Sequence, residues 1–77
     1  MTRDEFIREF AALLDVDPGQ LQPGTDLKSI EAWDSVAYLS AMVLIDEQLG
    51  IIMRPEALSK AATFQDIVQA VEPAFRN

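Results

Sequence analysis

The sequence contains no cysteine and no histidine. Without cysteine there is no disulfide framework, no thiolate metal site and no thiol nucleophile. Without histidine the commonest general base and metal ligand is missing. Both absences weigh against catalysis, so the chain is expected not to be an enzyme. Basic residues are scarce too: 6 Lys and Arg stand against 13 Asp and Glu, a formal charge of -7. A chain of that sign repels nucleic acid and anionic lipid, is steered toward basic patches on protein partners, and favours the monomer. No apolar run approaches the ~20 residues of a membrane span. The opening Met1-Thr2-Arg3-Asp4-Glu5 lacks the apolar core of a secretion signal. A cytoplasmic protein without a membrane span is the expectation.

What is present is a 49% hydrophobic chain of 77 residues. That is enough for one domain, 1-77, closing a single small core; folds of this size bury only about 60% of the surface their unfolded chain exposes. Thr2 and Glu5 have the spacing of a capping box. Phe6, Phe10, Leu13 and Leu14, with Ile7 and Ala11 beside them, recur at helical spacing. This first helix is expected to stop near Leu14, before the turn formers Asp15, Asp17, Pro18 and Gly19.

From Asp15 to Asp34 no period is sustained, and Leu21, Leu27, Ile30 and Trp33 stand as spaced apolar pegs. A loop beyond about 12–15 residues is uncommon in a compact domain. The pegs predict that this one is pinned across the bundle. A second helix runs from Ser35 to about Leu49, with Gly50 as a left-handed stop. Between Val36 and Ile45 it is apolar on nearly all sides, the pattern of a helix that is central or meets a partner. Leu39, one turn after Ser35, is expected to face the bundle, where its truncation to Ala costs about 2–5 kcal/mol. Asp46 and Glu47 close the helix at the end its dipole favours least for acids, a penalty of roughly some tenths of a kcal/mol.

Pro55 suits the first turn of a short helix over roughly Arg54 to Ser59. A last helix begins at Thr63, paired with Asp66, and buries Phe64, Ile67, Val68 and Val71. Order is expected to fade at Glu72, ahead of Pro73. The fold class is therefore all-α: a four-helix bundle of three longer helices and one short one, with a long loop between the first and second.

Three sets of residues could carry chemistry. Asp34 or Ser35 at a helix start is first a cap for free amides. The same free amides and helix dipole also favour an anion, so a phosphodiester on Ser35 would lie in a favourable field at a junction another enzyme can reach. Asp15 and Asp17 hint at a calcium loop, but Gly19 falls one place early and Asp26 stands where glutamate belongs, so no metal site is expected. Trp33 is read as a peg over the core.

Asp34-Ser35-Val36, preceded by Gly24-Thr25-Asp26-Leu27 and followed by a helix ending in Asp46-Glu47-Gln48-Leu49-Gly50-Ile51, resembles the acyl and peptidyl carrier proteins. Thr63-Phe64-Gln65-Asp66 also looks like the opening of their last helix. The likeness covers the whole chain. Val36 stands for the usual leucine, Trp33 for a common glycine, and Ala37 and Ser40 for positions often acidic in fatty-acid carriers. The resemblance implies a free-standing carrier whose Ser35, beside Asp34, receives 4'-phosphopantetheine from coenzyme A through a phosphopantetheinyl transferase. The arm's thiol then holds an acyl or aminoacyl group as a thioester for acyl- or aminoacyl-activating and acyl-transferring enzymes. By the same analogy Val36, Val43, Asp46, Glu47, Met53 and Arg54 face partners. The rival reading is a small acidic helical interaction domain with no arm, in which Ser35 is a plain cap.

Overall fold

The structure is a computed structural model and describes residues 1–76. Its order is α1 (Arg3–Leu14), two 3-10 turns (Pro18–Gln20 and Leu27–Ser29), α2 (Ser35–Leu49), α3 (Pro55–Lys60), α4 (Phe64–Val71) and a closing 3-10 turn (Glu72–Ala74). This is the all-α bundle expected, and among the described residues there is no strand. One isolated antiparallel bridge joins Asp26 to Thr63.

The helix ends follow from the caps. The Thr2 hydroxyl accepts from the Glu5 amide at 3.2 Å and the Glu5 carboxylate accepts from the Thr2 amide at 2.9 Å. Those two bonds satisfy amides that the first turn leaves free. At the other end Asp15 takes a left-handed conformation, φ 56°, and returns its N–H to α1 carbonyls. Gly50 ends α2 with φ 70°, a conformation in which a Cβ would be strained. At α4 the Asp66 carboxylate accepts from both the Ala62 and Thr63 amides.

The core is built from the inner faces of α1 and α4, with α2 and α3 laid against them. Phe6 and Phe10 are fully buried, as are Leu58, Ile67 and Val71. Phe10 meets Phe64 at 5.3 Å between ring centroids, and Phe6 meets Phe10 at 5.6 Å, both tilted. Tilted rings place the positive edge of one near the negative face of the other. Helix α2 contributes Ala37, Ala41 and Ile45, spaced four residues apart on a single face.

That face corrects one expectation. Leu39 does not enter the bundle; it is 52% exposed, on the outer side with Val36 and Val43. A helix apolar on nearly all sides gives its periodicity no phase. Ala37, Ala41 and Ile45 face inward, and Val36, Leu39 and Val43 are left outside.

The long loop is pinned as its pegs predict. Leu21, Leu27 and Trp33 are buried, and Ile30 is half-buried against the core. Backbone bonds stitch it to the start of α4: the Leu27 amide donates to Ala62, the Phe64 amide to Thr25 and the Gln65 amide to Pro23, each at 3.0 Å. Order does not fade at Glu72. Pro73 fits the first positions of a 3-10 turn, where no donor is needed. Beyond it Phe75 packs on Phe6 at 5.5 Å and the Arg76 amide donates to the Met1 carbonyl at 3.2 Å. An ion pair between Arg3 and Glu72 lies on the same closure. The termini are thereby held together.

Candidate functional site

The loop reaches α2 through a tight turn. The Trp33 amide donates to the Ile30 carbonyl, and the Asp34 amide to the Ala32 carbonyl, both at 3.0 Å. Asp34 is extended, φ -130° and ψ -172°, and serves as the cap. Its Oδ1 accepts from the Ala37 amide at 3.0 Å, while its carbonyl accepts the Tyr38 amide at 2.9 Å. Of the two candidate caps, Asp34 takes the role and Ser35 does not.

Ser35 is thus the first residue of the helix proper and is exposed. Its hydroxyl makes no hydrogen bond among the described residues. The amides of Ser35 and Val36 precede the first intrahelical bond, so they point outward without helical partners. An exposed, uncommitted hydroxyl beside two free amides suits a phosphodiester: the oxygen is reachable, and an anion placed there would meet N–H groups at a helix N-terminus.

Other serines lack this setting. The Ser29 hydroxyl donates to the Asp26 carbonyl at 2.7 Å and that of Ser59 to the Glu56 carbonyl at 2.9 Å. Ser40 lies mid-helix, where the neighbouring amides belong to the helix ladder.

Residues 4–71 of the chain match the family model described as the phosphopantetheine attachment site. The chain belongs to the phosphopantetheine-attachment family. It is a carrier domain, and the group attached to such a domain is covalent 4'-phosphopantetheine. A comparison with curated proteins returns no match. No helix of the described residues is long and apolar enough to cross a membrane.

Around the start of α2 the domain presents two different surfaces. On one side is an open groove of about 510 Å³ between the end of α1 and the loop. Leu14, Val16 and Ile30 form its apolar part, with Asp15, Glu31 and Asp34 beside them. On the other side, Val36, Leu39 and Val43 make an exposed apolar stripe down α2, at 69, 52 and 48% exposure. Their spacing of three and four residues keeps them on one helix face.

The partner-facing residues inferred from sequence fall unevenly on these surfaces. Val36 and Val43 lie in the stripe, and exposed Asp46 and Glu47 continue it through the last turn. Arg54 is exposed as the cap residue of α3, without a side-chain capping bond. Met53 is half-buried and packs on the core, whereas its neighbour Ile52 is 81% exposed. Leu39 and Ile52 are exposed apolar residues that the inference from sequence does not include. Leu39 could have been found from its spacing to Val36 and Val43; Ile52, in a connection without a period, carried no comparable signal.

The aspartates that hinted at a calcium loop have local work. Asp17 accepts from the Gly19 amide at 3.1 Å and Asp26 from the Lys28 amide at 3.0 Å. Asp15 sits at the left-handed end of α1.

Proposed function

We propose that this chain acts as a carrier protein domain whose arm is attached to Ser35. The observation that carries this reading is the division of roles at the start of α2: Asp34 caps the helix, and the Ser35 hydroxyl remains exposed and unbonded. In the rival reading Ser35 exists to cap, a task the Asp34 carboxylate already performs.

A phosphopantetheinyl transferase moves the arm from coenzyme A onto the Ser35 oxygen. The P–O bond to Ser35 forms as the bond to the adenosine-bisphosphate leaving group breaks, and the serine proton passes to a base that the transferase supplies. When bound, the arm provides the thiol on which acyl or aminoacyl cargo is held as a thioester. The protein's own residues do not transform that cargo. Asp34 holds the helix start, the free amides would meet the charge of the phosphodiester, and the bundle fixes both relative to the α2 surface.

The arm's partners are then the transferase, enzymes that activate an acyl or aminoacyl group, and enzymes that receive it. Val36 and Val43, with Asp46 and Glu47 at the far end, are the surface these partners share, joined by Leu39, Ile52 and Arg54. The exposed apolar stripe supports this reading, since clustered apolar side chains beside polar ones mark interaction sites. A specialised biosynthetic pathway in the cytoplasm is the setting that fits a small acidic carrier of this kind.

The test is to co-express the chain with a broad-range transferase and weigh the intact protein. Wild type should gain the mass of one phosphopantetheine, and Ser35→Ala should gain none. An unmodified wild type, or a loaded Ser35→Ala, removes Ser35 from this role and leaves the arm-free interaction domain as the better account.

A further inference from the structure

Asp34 and Ser35 are both good capping residues, and they are adjacent. If the helix began one residue later, the Ser35 hydroxyl would turn onto an α2 amide and its availability would be lost. The tandem therefore needs something outside the pair to fix the choice.

Trp33 immediately precedes it and is only 7% exposed. Its ring contacts both neighbouring helices. It meets Phe10 of α1 at 5.6 Å and Tyr38 of α2 edge-on at 4.8 Å, with 72° between the ring planes. Tyr38 is also the residue whose amide donates to the Asp34 carbonyl at 2.9 Å, the first backbone bond of the helix. The indole thus grips the chain on both sides of the capping pair.

A second observation sets Trp33 apart from an ordinary core residue. Its Nε1 is buried and has no hydrogen-bond partner among the described residues. A buried unpartnered N–H is a cost that a purely apolar ring would avoid. The contacts that hold Trp33 in place are therefore those of its ring, with Phe10 and Tyr38.

We propose that Trp33 is a positioning residue for arm attachment: wedged between Phe10 and Tyr38, it assigns the capping role to Asp34 and so keeps the Ser35 hydroxyl free for the transferase. The inference rests on the reading that Ser35 is the attachment residue. Trp33 acts through the helix start and touches neither the arm nor coenzyme A.

The test pairs loading kinetics with hydrogen exchange on the full chain, using Trp33→Leu, Trp33→Phe and, as a control, Val68→Ala in the α4 core. Trp33→Leu should lower kcat/KM for phosphopantetheine transfer by about tenfold, the scale of losing two aromatic contacts. It should also speed exchange of the Tyr38 amide beyond its change in global stability. Trp33→Phe keeps a ring in the wedge and should restore loading to within about threefold of wild type. Val68→Ala should lose stability with no change in loading at a temperature where it is folded. Should Trp33→Leu fold too poorly to assay, Trp33→Met carries the same comparison.

Equal loading by wild type and Trp33→Leu overturns the proposal. So does slower loading with Tyr38 protection intact, which would place Trp33 in contact with the transferase instead. A wild type that never loads fails the Ser35 reading itself, and the Tyr38 exchange comparison still decides whether Trp33 fixes the helix start.

Discussion

Asp34 and Ser35 divide one helix start between them: the Asp34 carboxylate takes the Ala37 amide at 3.0 Å, and the Ser35 hydroxyl is left uncommitted. Their truncations should therefore differ in opposite ways. Removing the Asp34 cap should cost about 0.5–2 kcal/mol of stability in Asp34→Ala. Ser35→Ala, at an exposed position without a bond, should stay within about 0.5 kcal/mol of wild type. Urea melts of the two unmodified variants check this. Equal losses would mean that Ser35 shares the cap, which would also weaken its availability to an outside enzyme.

The orientation of α2 gives a second contrast. Leu39 is half-exposed on the outer face, while Leu27 is fully buried in the loop that crosses the core. Leu27→Ala should cost about 2–5 kcal/mol through lost burial and the cavity it leaves. Leu39→Ala should cost less than about 1 kcal/mol, since little of its surface is removed from water and no cavity forms. A chemical melt showing the reverse order would rotate α2 by roughly half a turn.

Much of the bundle is legible in the sequence because its ends are chemically marked. Thr2 with Glu5, Gly50, and Thr63 with Asp66 each predict a boundary that the structure places within a residue. The pegs Leu21, Leu27 and Trp33 likewise give away a loop pinned to the core. What the sequence hides is direction. From Val36 to Ile45 there is too little polar character to say which side of α2 faces in, so Leu39 is misplaced. The pair Asp34-Ser35 contains two competent caps, and only coordinates distinguish them. Pro73 reads as a stop, yet a 3-10 turn accommodates it and carries Phe75 back onto Phe6. The unpartnered Trp33 N–H follows from tertiary packing alone.

The start of α1 makes stability sensitive to acid. Hydrogen bonds from the Thr2 backbone, then from its side chain, hold the Glu5 carboxyl below its ordinary value. A carboxylate whose folded value is depressed contributes stability that is complete above the unfolded value and disappears as pH falls through the folded one. The capping contribution should therefore be intact at neutral pH and lost below the normal glutamate range. Glu5→Gln keeps an acceptor for the Thr2 amide but cannot titrate. Its melts should show a smaller loss of stability over that acid window than wild type, and parallel pH profiles would contradict the assignment.

The surface beside Ser35 makes a final prediction about how partners are held. Val36, Leu39 and Val43 expose an apolar stripe, whereas Asp46 and Glu47 lie only at its far end. Docking through the stripe buries apolar area, which added salt does not screen; docking through carboxylates is weakened as the Debye length falls to about 3 Å at 1 M salt. The double variant Leu39→Gln, Val43→Gln retains helix-compatible side chains and should preserve the far-UV circular dichroism spectrum. It should raise the transferase KM by about tenfold, about 1.4 kcal/mol shared between the two lost apolar contacts. Asp46→Asn with Glu47→Gln should change KM less, and that smaller change should vanish at high salt. A KM that responds chiefly to the acidic pair and to salt would move recognition to the end of α2 and leave the stripe without a role in docking.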